Sequence, residues 1–105
     1  MKLQVTVYTT VSNFTSAPTS KDVYYITSEQ LEQGPFDIRE CLVPKDYFHI
    51  REIVATLSAD RQQIEISSEE YGNRTLRIGK DEYYTTGEIG LSYAYCSIYI
   101  QPINE

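Results

Sequence analysis

The chain has one histidine, His49, with Asp46 three residues before it and Glu52 three residues after it. On a helix that spacing brings side chains near one another and offers two metal ligands, but Glu52 then falls round the side. A catalytic histidine also needs a nucleophile or an orienting carboxylate, and no spacing here supplies one. His49 is therefore expected to be a surface histidine in a mixed-charge segment. Glu69 and Glu70, with Glu65 nearby, offer carboxylates for acid–base work. Neighbours on a strand point to opposite faces, so the pair fits a solvated turn better than a glycosidase site. Cys41 and Cys96 lie far apart, match no metal spacing, and are expected to be buried free thiols. The five glycines fall at turn signals and not ahead of a helix, so none forms a phosphate cradle. Asn13-Phe14-Thr15 and Asn73-Arg74-Thr75 match the N-glycosylation pattern, which has meaning only in a secreted chain. The expectation is a protein with no catalytic set, no cofactor and no metal.

Tyrosine is the compositional outlier, with ten Tyr against three Phe and no Trp. Tyrosine supplies rigid contact area with a polar tip, which suits recognition surfaces, and it also suits strands. The candidate partner-binding residues are Glu69, Glu70 and Tyr71 in one group, and Asp81, Glu82, Tyr83 and Tyr84 in another. Both groups fall at loops or strand ends, where a rigid scaffold commonly presents recognition residues. In the adjacent pairs Tyr24-Tyr25 and Tyr83-Tyr84, one ring must face away from the other.

Fifteen acidic against nine basic residues give a net charge of −6. No basic stripe is present to neutralise phosphates, so nucleic acid and anionic membrane surfaces are disfavoured partners. A basic protein partner fits the balance, as does plain solubility. The residues after Met1 alternate polar and apolar without a signal-peptide core, so the expected compartment is the cytoplasm.

The charges are also unevenly placed. None occurs from Leu3 to Ser20, and none from Leu91 to Asn104. Both stretches alternate as strands do: Leu3, Val5 and Val7 share one parity, and Cys96, Ile98 and Ile100 share another. Long uncharged strands aggregate if left at an edge, so both belong inside the sheet, near each other. Tyr93, Tyr95 and Tyr99 then line the face opposite Ile98, either under a covering layer or as a recognition surface. Between the two ends, strands are expected at 22–26, 36–43, 63–67, 74–78 and 82–86, with turns at 58–61, 79–81 and 87–90. Thr27-Ser28-Glu29-Gln30 has the capping-box pattern, and Gly34-Pro35 ends the short helix that it starts. In 45–58, Tyr47, Ile50, Ile53, Val54 and Leu57 fit an amphipathic helix, although the β-branched residues also fit a strand.

Turn signals about every ten residues imply antiparallel pairing. The expected fold is one mainly β domain over 1–105, a sandwich, roll or small barrel with one or two short helical segments. The alternative is an α+β arrangement with a helix at 45–57 packed on an antiparallel sheet. The function that fits best is non-catalytic binding of a macromolecular partner, of the inhibitor or toxin-neutralising type. A structural or assembly subunit, associating as a homo-oligomer through strands 3–11 or 91–101, is the second reading. A small-ligand site or enzyme centred near His49 is the third.

Overall fold

The computed structural model describes residues 1–11, 19–43, 49–91 and 94–104. Within them are eight strands: β1 (Lys2–Val11), β2 (Thr19–Thr27), β3 (Phe36–Asp37), β4 (Val54–Leu57), β5 (Gln63–Ser67), β6 (Arg74–Arg77), β7 (Tyr84–Leu91) and β8 (Ala94–Ile103). They form two antiparallel four-stranded sheets, ordered β2-β1-β8-β7 and β3-β4-β5-β6. A five-residue helix, α1 (Ser28–Glu32), and a 3-10 turn over Ile38–Cys41 complete the elements. The fold is mainly β, as the alternation predicts.

The two uncharged strands are the inner strands of the first sheet. β1 and β8 pair residue for residue from Lys2 with Ile103 to Val11 with Ala94. Directly opposed residues share a face, so Val5 sits against Ile100 and Val7 against Ile98. Leu3, Val5, Val7, Cys96, Ile98 and Ile100 are all buried on that face. From the second sheet, Ala55, Ile64, Ile66 and Leu76 enter the same hydrophobic cluster. Both edges of β1 and of β8 are occupied by neighbouring strands within the sheet. Tyr24 is half-buried while Tyr25 is exposed, and Tyr84 is buried while Tyr83 is exposed, so each pair does split across its strand.

Local signals explain the punctuation. Thr27 Oγ1 accepts from the Gln30 amide at 3.2 Å, and Gln30 Oε1 accepts from the Thr27 amide at 2.9 Å, closing the capping box. The 58–61 turn forms as expected, with the Arg61 amide donating to the Ser58 carbonyl at 2.9 Å.

Three expectations are corrected. There is no helix over 49–57: β4 occupies 54–57 and pairs with β5, Ala55 facing Ile66. Residues 45–48, Asp46 and Tyr47 among them, lie outside the described residues. Strand pairing decides the segment because Ile53 and Ala55 bury completely on alternate positions, a period of two that a helix cannot follow. The strand expected at 36–43 stops after two residues. Asp37 accepts from the Arg39 amide at 3.0 Å and pairs with its guanidinium at 2.7 Å, which bends the chain into the 3-10 turn. The turn expected at 87–90 is a bulge inside β7, where the register with β8 shifts between Thr85 and Glu88. Gly87 takes φ +73°, its amide donates to Thr85 Oγ1 at 3.2 Å, and Thr86 Oγ1 accepts the Ile98 amide at 3.2 Å. Threonine hydroxyls thus replace the ladder bonds that the bulge breaks.

The core assignment of β8 is testable. Ile98→Ala is expected to cost about 2–5 kcal/mol through lost transfer energy and a residual cavity. Tyr99→Ala, on the opposite face, should cost about 1 kcal/mol, the scale of its ring contacts. Denaturant midpoints of the two variants check this, and the reverse order of severity would show the faces to be misassigned.

Candidate functional site

The first sheet buries one face and leaves the other open. On the open face the cross-strand rows run Tyr25–Gln4–Gln101 and Val23–Thr6–Tyr99–Thr85. Tyr99 lies at the centre of an aromatic row. From the β1 side, the Tyr8 ring meets it edge-on, with centroids 5.5 Å apart and planes at 88°. From the β7 side, Tyr83 lies 5.8 Å away at 41°. Both spacings are within the range at which aromatic pairs attract. The rings stay accessible: Tyr8 is 36%, Tyr99 37% and Tyr83 48% exposed. With Gln4, Lys21 and Gln101 they line a shallow depression of about 260 Å³.

Polar contacts hold this row in place. Gln101 Nε2 donates to Asp81 Oδ1 at 2.9 Å, which fixes the amide beside the rings. Arg74 Nη1 donates to the Tyr83 carbonyl at 2.6 Å, and its guanidinium sits 5.9 Å from the Tyr83 ring. Further along the sheet, Lys2 Nζ lies 4.4 Å from the Tyr25 ring centroid. Two of the rings therefore already engage cations of the chain itself, a favourable pairing at exposed sites.

The sequence-predicted residues divide. Tyr83 joins the aromatic row and Asp81 anchors it. Glu82 turns instead to β6, where it accepts from the Arg77 amide at 2.6 Å and pairs with the guanidinium at 3.1 Å. Its hydrogen bond from the Arg77 side chain, followed by that from the Arg77 amide, holds its carboxyl below the usual range. Tyr84 is a core residue, 3% exposed, with its hydroxyl donating to the Gly72 carbonyl at 2.9 Å. Burial pushes that phenol up. Tyr71 is half-buried and accepts from the Arg51 amide at 3.1 Å. Glu69 and Glu70 line a separate depression of about 560 Å³ with Arg39, Arg51 and Glu52. Five charged residues of both signs line that second depression. The ladder expected from Tyr93, Tyr95 and Tyr99 is present only in part: Tyr95 is half-buried, and Tyr93 lies outside the described residues. Tyr8, Gln4 and Gln101 were not singled out from the sequence. The signal for them is the polar parity of the two uncharged strands, which acquires meaning only once β1 and β8 are known to be neighbours.

His49 is exposed at φ 51°, and Glu52 lies 3.9 Å from Arg39 Nη2. Among the described residues no three His, Cys, Asp or Glu side chains converge as a metal site. Cys41 and Cys96 are both free thiols. Burial pushes Cys41 up to about 12 and Cys96 up to about 11. Both therefore stay neutral where a reactive thiolate would form. No protein-family model matches the chain, and no curated protein or solved structure is significantly similar to it.

The thiols give a pH expectation. In the unfolded chain they ionise near 9.0, and in the folded chain only near 11–12. Their folded values are raised, so their contribution to stability is complete below about pH 9 and is lost as pH rises towards 11–12. Melting temperature should fall across that window less steeply in Cys41→Ala than in the parent chain. Parallel slopes would show that the thiol does not contribute.

Proposed function

We propose that the protein is a non-catalytic binding module that engages a protein partner through the open face of its first sheet. The observation that carries this reading is the accessible row Tyr8–Tyr99–Tyr83, flanked by hydrogen-bonding amides. Tyrosine and the amide side chains suit recognition: the rings give area at low entropic cost, and Gln4 and Gln101 offer both donors and acceptors. The net charge of −6 favours a basic partner, since opposite charge accelerates encounter. Its magnitude also disfavours nucleic acid, because an acidic chain gains nothing from phosphate neutralisation.

Affinity chromatography against lysate of the source cell, repeated with variants, tests the proposal. The retained protein should be lost with Tyr99→Ala and Tyr83→Ala, each weakening affinity about 30-fold, as expected for central aromatic anchors. The melting temperature by circular dichroism should fall by no more than about 4–8 °C, the shift that a loss of about 1 kcal/mol gives in a domain of this size. Raising salt should slow association, because exposed charges are screened over about 8–10 Å. A partner whose retention ignores both tyrosine substitutions would sink the proposal, and so would binding lost only in step with stability.

A further inference from the structure

The two sheets have four edges between them, and three are blunted. β3 is two residues long. β6 has four residues, and its outer side is occupied: Glu82 accepts the Arg77 amide, and Arg74 reaches the Tyr83 carbonyl. β7 carries the bulge, with positive φ at both Gly87 and Gly90. These are the devices by which sheet proteins prevent edge-to-edge association. β2 is neither short, bulged nor covered, and its one such device is the charged pair Lys21-Asp22. It runs nine residues without Gly, Pro or bulge, in unbroken register with β1 from Thr19 opposite Thr10 to Thr27 opposite Lys2. Among the described residues, no backbone group pairs with its outer side. The Thr27 amide turns away from β1 into the capping box. By strand alternation, the amides of Tyr25, Val23 and Lys21 turn outward with it.

We propose that this edge pairs with β2 of a second copy of the chain, antiparallel about a two-fold axis at Val23, to make one continuous eight-stranded sheet. The sequence of β2 is self-complementary in this register. Val23 is the midpoint of Thr19–Thr27, so Ser20–Ile26 overlaps its copy in full while the Thr27 amide stays in its capping box. Lys21 then opposes Tyr25 on the open face, and Asp22 opposes Tyr24 on the other, each twice by symmetry. The first contact repeats the Lys2–Tyr25 cation–π pairing already present in the monomer. The second sets the Asp22 carboxylate beside the Tyr24 ring, whose hydroxyl donates to the Val43 carbonyl at 3.4 Å. Shifting the axis by one residue to Asp22, or by two to Lys21, places like charges directly opposite, which destabilises a strand pair. Val23, an exposed apolar residue at 39% of its surface, becomes the covered centre of the interface. This inference does not depend on the tyrosine-row proposal, since β2 supplies none of its three rings.

Two measurements test it. Light scattering on the unmodified chain should rise from the 12.1 kDa monomer mass towards twice that value as concentration increases to about 0.5 mM. Val23→Lys, which sets two ammonium groups face to face, should hold the mass at the monomer value while leaving the circular dichroism spectrum unchanged. The register is read by cross-linking. A Val23→Cys variant should oxidise to a covalent dimer at least tenfold faster than Tyr25→Cys, because only position 23 meets itself within disulfide reach. Monomer mass at every concentration overturns the proposal. Dimer mass with equal cross-linking of the two cysteine variants overturns it as well.

Discussion

Ten consecutive residue pairs between β1 and β8 set the frame for everything else in this molecule. The pairing gives the two uncharged strands an environment in which their lack of charge has no cost. Each has both edges hydrogen-bonded and one face in the hydrophobic cluster. Once this ladder is in register, the pleat decides the rest, because a one-residue slip would turn Val5, Val7, Ile98 and Ile100 out to solvent. β2 and β7 then attach as outer strands, and the second sheet covers the apolar side.

The same ladder creates the open face. Burying Leu3, Val5 and Val7 obliges Gln4, Thr6 and Tyr8 to point the other way, and burying Ile98 and Ile100 does the same to Tyr99 and Gln101. The aromatic row is therefore a geometric consequence of the core, with residue type chosen at positions whose direction was already set. Thr6 shows how closely the face is populated: although it points outward, opposite Tyr99, it is only 5% exposed.

Much of this was legible from residue pattern. The parity of 3–7 and 96–100, the central position of both terminal strands, the capping box at Thr27 and the strand at 63–67 all follow from period and local chemistry. The errors share a cause. Over 49–57, apolar residues at Ile50, Ile53, Val54 and Leu57 satisfy a helical period, and only the partner strand β5 shows that burial alternates by two. At Gly87 the turn signal coincides with a positive φ, but whether a glycine ends a strand or bulges it depends on what its neighbour across the sheet continues to do. The candidate residues followed the same rule. Tyr71 and Tyr84 sit beside acidic residues in sequence, yet tertiary contacts with Arg51 and Gly72 employ their hydroxyls in the scaffold.

The order in which the ladder can form has a consequence for the nascent chain. β1 is synthesised before its partner β8, with every other strand of the two sheets between them in chain order. β2 can zip onto one side of β1 at once, as a local hairpin. The other side waits through more than eighty intervening residues, and loop closure over such a span makes the final pairing slow. During that interval Leu3–Val11 is an uncharged edge without its protecting neighbour, the condition under which unfinished chains stick to one another. The time that this edge stays open is therefore set by how soon β8 is made and finds its place.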